Sequence, residues 1–211
     1  MFKSFQWIYT IYSALLFFVL MLLLGLFVLI PLLIHPRGDK ISFVFIRLWV
    51  GTWAFLSGIR FEVHGKEYID LNQSYIYIFN HRSNLDAPLL PMVIPHYVRA
   101  IGKKELSKIP IFSTVVSKLA IWVDRSNPES RHESMGKLVS LLNQGISVVV
   151  SPEGTRNNTD QTLLPFQKGA FRLAIETQTP IMEMAVIGAD KLMKRGSLLL
   201  KPGKISVYFS K

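Results

Sequence analysis

The chain has 211 residues, half of them hydrophobic and 18% charged, with no cysteine and a formal net charge of +10. So apolar a chain buries ample surface, which excludes intrinsic disorder. The missing cysteine excludes a disulfide framework, a cysteine–zinc site and a thiol nucleophile. Residues 1–60 hold five Lys/Arg and one Asp, leaving nineteen against thirteen acids in 61–211. Both parts are basic, which predicts anionic company: nucleic acid, acidic headgroups or a phosphorylated small substrate.

The N-terminus decides among these in favour of a membrane. Residues 11–34 carry no charge and are mostly Leu, Phe, Val and Ile. As a helix they would extend roughly 36 Å, enough for a hydrocarbon core of about 30 Å. The competing reading, a signal peptide, needs a shorter apolar region and a small-residue cleavage site; this run ends instead in Pro31-Leu-Leu-Ile-His35-Pro36. After a turn at His35-Pro36-Arg37-Gly38-Asp39, a second apolar stretch covers 41–59, with Arg47, Trp49, Trp53 and Phe55. Two placements are open for it: partly in the interface, where Trp is enriched and an isolated Arg can snorkel, or packed on the globular part. Lys3 alone precedes the first run, whereas Arg37, Lys40 and Arg47 follow it. That asymmetry puts the downstream chain on the cytoplasmic side.

Beyond Arg60 the apolar runs shorten. Strands are expected at 75–79, 120–123, 146–150, 184–187 and 205–209. A helix is expected at 129–143, with Gly145 as its stop, and another at 166–176. Alternating strands and helices imply an α/β fold with a mostly parallel sheet flanked by helices. The expected organisation is a membrane-anchoring two-helix segment, 1–59, followed by a catalytic domain, 60–211.

Three of these strands run straight into polar clusters. If they are parallel neighbours, the clusters meet in one crevice at the carboxyl edge of the sheet. In Asn80-His81-Arg82-Ser83-Asn84-Leu85-Asp86, the Asp86 carboxylate could orient His81 as a general base; the alternative is a capping box from Ser83 to Asp86. In Ser151-Pro-Glu-Gly-Thr-Arg156, Gly154 permits a sharp turn and Arg156 offers a fork of donors for phosphate. Glu153 could accept substrate hydroxyls, against the alternative of a surface turn of mutually paired charges. Asp124-Arg125 and Lys103-Lys104 are weaker signals. Phe166-Gln167-Lys168-Gly169 reads as a loop entering a helix. Neither a G-x-S-x-G elbow nor a P-loop nor a G-x-G-x-x-G is present.

In this order and spacing the clusters resemble the glycerolipid acyltransferase family, specifically bacterial 1-acyl-sn-glycerol-3-phosphate acyltransferases. Asn80-His81-x-Ser83-x-x-Asp86 is similar to the family's first motif, Asp124-Arg125 to its second and Pro152-Glu-Gly-Thr-Arg-Asn157 to its third. The Lys-Lys-Glu-Leu run at 103–106 and Pro165-Phe-Gln-Lys-Gly-Ala-Phe171 also look like family features. The resemblance implies that His81 removes the proton from the sn-2 hydroxyl of lysophosphatidic acid and that Asp86 orients it. The hydroxyl oxygen would attack acyl-CoA or acyl carrier protein thioester, with no acyl-enzyme, metal or other cofactor. Lys104, Arg125 and Arg156 would hold the acceptor phosphate, with Glu153, Gly154 and Thr155 lining its glycerol end. The implied setting is phospholipid biosynthesis at the cytoplasmic face of a bacterial inner membrane, with membrane lipids and not nucleic acid as company. Ser151 and Glu183 depart from the family pattern, and relatives usually continue past the point of Lys211, so a truncated chain is one expectation. Three other readings are an acyltransferase for another lysolipid, a thioester or lysolipid hydrolase, and a non-enzymatic binder of anionic lipid.

Overall fold

A computed structural model describes residues 3–35, 38–109, 111–116, 119–124 and 126–211. It opens with two antiparallel helices, α1 (Lys3–Ile34) and α2 (Gly38–Leu56). In α1 only Ser13, Met21, Gly25 and Val28 are buried, a narrow stripe at helical spacing. Almost all the remaining Leu, Phe, Val and Ile side chains look outward or are half-buried. A 32-residue helix of this kind is long and apolar enough to cross a membrane, and its outward apolar surface supplies membrane association. Pro36 and Arg37, placed by the sequence in the turn, lie outside the described residues.

α2 buries Phe43, Ile46, Trp49, Val50 and Trp53. The two tryptophans do not stand at an interface, as one sequence reading had them. They are 2% and 5% exposed, because their indole N–H groups find acceptors on α1. Trp49 Nε1 donates to the Phe17 carbonyl at 2.9 Å and Trp53 Nε1 to the Ser13 carbonyl at 3.0 Å. A buried indole without an acceptor would cost about 1–3 kcal/mol. The second helix therefore packs on the protein.

Among the described residues seven strands follow: β1 (Ile59–His64), β2 (Ile76–Phe79), β3 (Val98–Lys103), β4 (Ala120–Val123), β5 (Ser147–Val150), β6 (Ile181–Ile187) and β7 (Gly203–Phe209). They form one sheet in the order β1-β7-β6-β2-β5-β3-β4. β6, β2, β5, β3 and β4 are parallel, whereas β1 and β7 run the other way, joined antiparallel to β6. Helices α3 (Asp86–Val93), α4 (Phe112–Val116), α5 (Pro128–Asn143), α6 (Gly169–Thr177) and α7 (Ala189–Leu192) complete the fold.

β2 shows why the strands are apolar throughout. Ile76 and Ile78 pack with Leu138 and Leu142 of α5 and Ala170 and Leu173 of α6. Tyr77 and Phe79 point the other way, into a core shared with α2 and α3. A strand covered on both faces has no polar side to alternate. The helical hairpin thus belongs to the same core as one face of the sheet. α5 has Asn127 as N-cap, its side chain accepting from the Glu129 and Ser130 N–H groups, and ends before Gly145 in the left-handed region (φ 73°). That stop is the one expected from the sequence. α6 starts at Gly169, so Phe166 to Lys168 remain loop.

Candidate active site

β2 and β5 are parallel neighbours, so the loops that follow them leave the sheet side by side. Asp86, the first residue of α3, is fully buried and turns back on its own loop. Its Oδ2 accepts from His81 Nδ1 at 2.7 Å and from the backbone N–H groups of Arg82 and Ser83, both at 2.9 Å. Half of the alternative capping box forms: the Asp86 carboxylate takes the Ser83 N–H, whereas the Asp86 N–H goes to the Ser83 carbonyl and not to its hydroxyl. Leu85 is the N-cap, without a side-chain bond. The Ser83 hydroxyl donates to the Met193 carbonyl at 3.1 Å and accepts from Leu85 N at 3.3 Å. A proton on Nδ1, facing the carboxylate, would leave Nε2 free to accept one. Among the described residues Nε2 has no partner, and the ring is 23% exposed.

The third motif holds the backbone of the same histidine. Glu153, 3% exposed, accepts from His81 N at 3.2 Å through Oε1 and from Leu164 N at 2.8 Å through Oε2. Both oxygens serve backbone donors, where the sequence reading gave them to substrate hydroxyls. Asn157, fully buried, donates its backbone N–H to the His81 carbonyl at 2.7 Å. Asn80 extends the β2–β6 ladder with its side chain: Nδ2 donates to the Val186 carbonyl at 2.9 Å and Oδ1 accepts from Val186 N at 2.7 Å. Arg82 stitches the loop outward, its Nε to Asp190 at 3.2 Å and its NH1 to the carbonyls of Gln161 and Thr162, both at 2.8 Å. Asn80, Arg82 and Asn157 lie inside the quoted motifs, but residue type alone assigned them nothing. Asp190 carried no local signal.

Arg156 reaches the same loop, its NH1 donating to Asn84 Oδ1. Among the described residues its buried Nε has no partner. Gly154 turns the chain at φ 69°, a backbone conformation that favours glycine, and a Cβ there would lie a tight 3.1 Å from Gln167 Cγ. Thr155 is exposed in that turn.

The second cluster stands apart. β4 is parallel to β5 but not beside it, because β3 lies between them. Polar residues after β4 therefore leave the same edge two strands away. There Lys104, 58% exposed, lies 3.6 Å from Asp124 Oδ2. Hydrogen bonds from the Ser126 hydroxyl and then its backbone N–H hold the Asp124 carboxyl below its usual range, with Lys104 adding to the effect. Arg125 lies outside the described residues.

A histidine with one nitrogen on a buried carboxylate, the other open, and an arginine close by is an arrangement for proton abstraction next to an anion. The family model described as Acyltransferase matches residues 60–187, and the chain belongs to that family. The 1-acyl-sn-glycerol-3-phosphate acyltransferase of Cocos nucifera is 35% identical over 159 residues, covering 74% of this chain and 51% of its own length. The alpha form from Mus musculus is 32% identical over 180 residues, 81% of this chain and 61% of its own. The chain thus spans about half the length of the curated relatives it matches. The crystal structure of the 1-acyl-sn-glycerophosphate (LPA) acyltransferase PlsC from Thermotoga maritima superposes with a TM-score of 0.85 at 25% identity, over the whole of this chain and 86% of the other. The fold class expected from the sequence is therefore the one found.

Proposed function

We propose that this chain transfers a fatty acyl group from a thioester, acyl-CoA or acyl carrier protein, to the sn-2 hydroxyl of 1-acyl-sn-glycerol-3-phosphate. The observation that carries this reading is the 2.7 Å bond from His81 Nδ1 to Asp86 Oδ2, with Nε2 left open. His81 Nε2 takes the hydroxyl proton as the oxygen attacks the thioester carbonyl carbon. Asp86 steadies the imidazolium that forms. Collapse of the tetrahedral intermediate breaks the carbon–sulfur bond, and the imidazolium returns its proton to the leaving thiolate. General-base help of this kind is worth about 10²–10⁴ in rate, and holding both substrates in place supplies much of the rest.

Arg156, bonded to the histidine loop, is an acceptor-phosphate ligand, with Lys104 and Arg125 as further cations and Gly154 and Thr155 shaping the turn beside the glycerol. Glu153 contributes by holding His81. The scheme needs no metal and no cofactor beyond the thioester. The apolar hairpin would keep the enzyme at the cytoplasmic face of a bacterial inner membrane, where a lysolipid resides.

The test is acyl transfer from labelled acyl-CoA and acyl carrier protein to lysophosphatidic acid in detergent, wild type beside His81→Ala. Phosphatidic acid from wild type alone supports the reaction and its base. Equal product from both overturns the base. Thioester cleavage by wild type without an acceptor, at an undiminished rate, would make the chain a hydrolase instead.

A further inference from the structure

Six of the 24 Lys/Arg fall in 191–211, a stretch without a single Asp or Glu. Its first half folds back on itself as a short arm between α7 and β7. Met193 and Leu200 pair antiparallel. Lys201 N donates to the Leu192 carbonyl at 2.9 Å, and Ser197 N closes the turn on the Lys194 carbonyl at 3.0 Å. Gly196 takes the left-handed backbone in that turn, at φ 70°, where glycine is favoured. Lys191 and Lys194 are exposed, Arg195 and Lys201 half-buried, and Leu198 stands 69% exposed beside the turn. Arg195 pairs with Asp160 at 3.1 Å, whereas Lys191, Lys194 and Lys201 have no ion pair among the described residues.

The base of this arm is bonded to the loop that carries the histidine. Ser83 Oγ donates to the Met193 carbonyl at 3.1 Å, and Arg82 Nε to Asp190 Oδ2 at 3.2 Å. The two residues that follow His81 thus hold the arm and the turn of helix leading into it. Arg195 ties the arm to Asp160, in the same loop whose Gln161 and Thr162 carbonyls take Arg82 NH1. The reaction scheme leaves these cations without a task, since Lys104, Arg125 and Arg156 serve the acceptor phosphate. A basic face fixed beside the general base attracts anionic company, and at this place the company that matters brings substrate.

We propose that the arm, through Lys191, Lys194, Arg195, Lys201 and Leu198, docks an acidic acyl carrier protein that presents the thioester. An anionic bilayer would draw on the same charges, but its hold on a surface grows with apolar area, and here one exposed leucine accompanies four cations. That ratio suits a protein partner, where complementary charge steers the encounter and a small apolar anchor is enclosed. A carrier seated on the arm delivers its acyl group to the histidine along its flexible pantetheine chain. Acyl-CoA has no protein part and reaches the same histidine without the arm. The inference rests on the reading of the chain as a thioester-dependent acyltransferase and adds to it the place where one donor binds.

The test compares the full chain in zwitterionic detergent as wild type, as Lys191→Glu with Lys194→Glu, and as Lys66→Glu with Lys137→Glu, an equal charge change at exposed positions on other elements. Binding is read first, by fluorescence anisotropy of a labelled holo acyl carrier protein. The arm variant should raise Kd roughly tenfold or more, the control should match wild type, and added salt should weaken wild-type binding. Transfer to lysophosphatidic acid is read second: kcat/KM should fall with acyl carrier protein as donor and stay unchanged with acyl-CoA. Equal loss with both donors, or equal loss of binding in the control, overturns the proposal. So does a variant that keeps its grip on the carrier protein and loses only its hold on vesicles containing phosphatidylglycerol, which would make the arm a lipid contact. Binding needs no turnover. A chain that binds the carrier through the arm and transfers from neither donor would sink the proposed reaction alone, and one that transfers from acyl-CoA without binding the carrier would sink the docking alone.

Discussion

His81 Nδ1 lies 2.7 Å from Asp86 Oδ2, and that same oxygen also takes the backbone N–H groups of Arg82 and Ser83. One buried carboxylate thus sets the ring's orientation and the shape of the loop that carries it. The two substitutions should therefore behave differently. His81→Ala removes the base, whose ring is 23% exposed, and leaves both backbone N–H groups on the carboxylate, so kcat should fall by about 10²–10⁴ with a smaller effect on the melting curve than Asp86→Asn. Asp86→Asn can put its amide oxygen where the three donors meet, but it loses the charge they share and buries its N–H₂ where Oδ1 has no partner among the described residues, so it should lose turnover and also about 1–3 kcal/mol of stability. Steady-state kinetics beside thermal unfolding separates the two. Full stability in Asp86→Asn would mean that the loop does not depend on the carboxylate.

Glu153 raises a similar question, because its two oxygens bond the backbone of His81 and of Leu164. In Glu153→Gln one of those N–H groups would face an amide N–H₂. Turnover should fall, with a stability loss of about 1–3 kcal/mol and little change in acceptor KM. A stable variant with a raised acceptor KM would instead return Glu153 to the acceptor hydroxyls.

Arg156 reaches the histidine loop through Asn84. A charge-assisted bond to phosphate is worth about 1.5–3 kcal/mol, so Arg156→Ala should raise acceptor KM roughly 10–100-fold. The same variant should leave a monoacylglycerol, which lacks the phosphate, unaffected. Equal effects on both acceptors would remove the phosphate role.

Asp124 offers a pH test at the second cluster. Its carboxyl is held below the ordinary range chiefly by the Ser126 hydroxyl and backbone N–H. A lowered folded value adds stability above the unfolded value, and that stability is lost as pH falls through the folded one. Ser126→Ala removes the leading cause, so the Asp124 midpoint should climb toward the ordinary range. Carbon-detected NMR titration of the carboxyl reads this directly, and an unmoved midpoint would assign the effect to the Ser126 backbone N–H and Lys104.

What the sequence showed and what it concealed have separate physical causes. β2, β4, β5 and α5 were readable because each is an apolar run with a polar boundary, and Asn127 and Gly145 punctuate α5 as capping rules require. The pairing of His81 with Asp86 was readable because only five residues separate them. β1 escaped because the apolar stretch read as a helix was carried on to Ile59, past the end of α2 at Leu56, and so cut into the alternation Ile59-Arg60-Phe61-Glu62-Val63-His64 that marks a half-buried strand. β3 escaped because it contains Arg99, Gly102 and Lys103. Its insertion between β5 and β4 is a long-range pairing that no local pattern encodes. The same holds for the reversal of β1 and β7 and for Asp190 meeting Arg82. Trp49 and Trp53 misled because their residue type suits an interface, whereas the acceptors that bury them lie 32 and 40 residues earlier on α1.

The glycine that hid β3 is itself testable. Gly102 pairs with Trp122 across the β3–β4 ladder, and the indole lies over the place where a side chain would begin. A Cβ at 102 would sit 2.6 Å from Trp122 Cζ3 and 3.2 Å from Ala120 Cβ. The backbone there is ordinary strand, so space and not conformation excludes a side chain. Gly102→Ala should force the indole aside and cost about 1–3 kcal/mol, the usual range for overpacking. Trp122→Leu removes the obstructing ring and should recover most of that loss in the double variant. Urea unfolding of the two single variants and the double variant forms the cycle. Strict additivity would show that the ring is not what keeps position 102 bare.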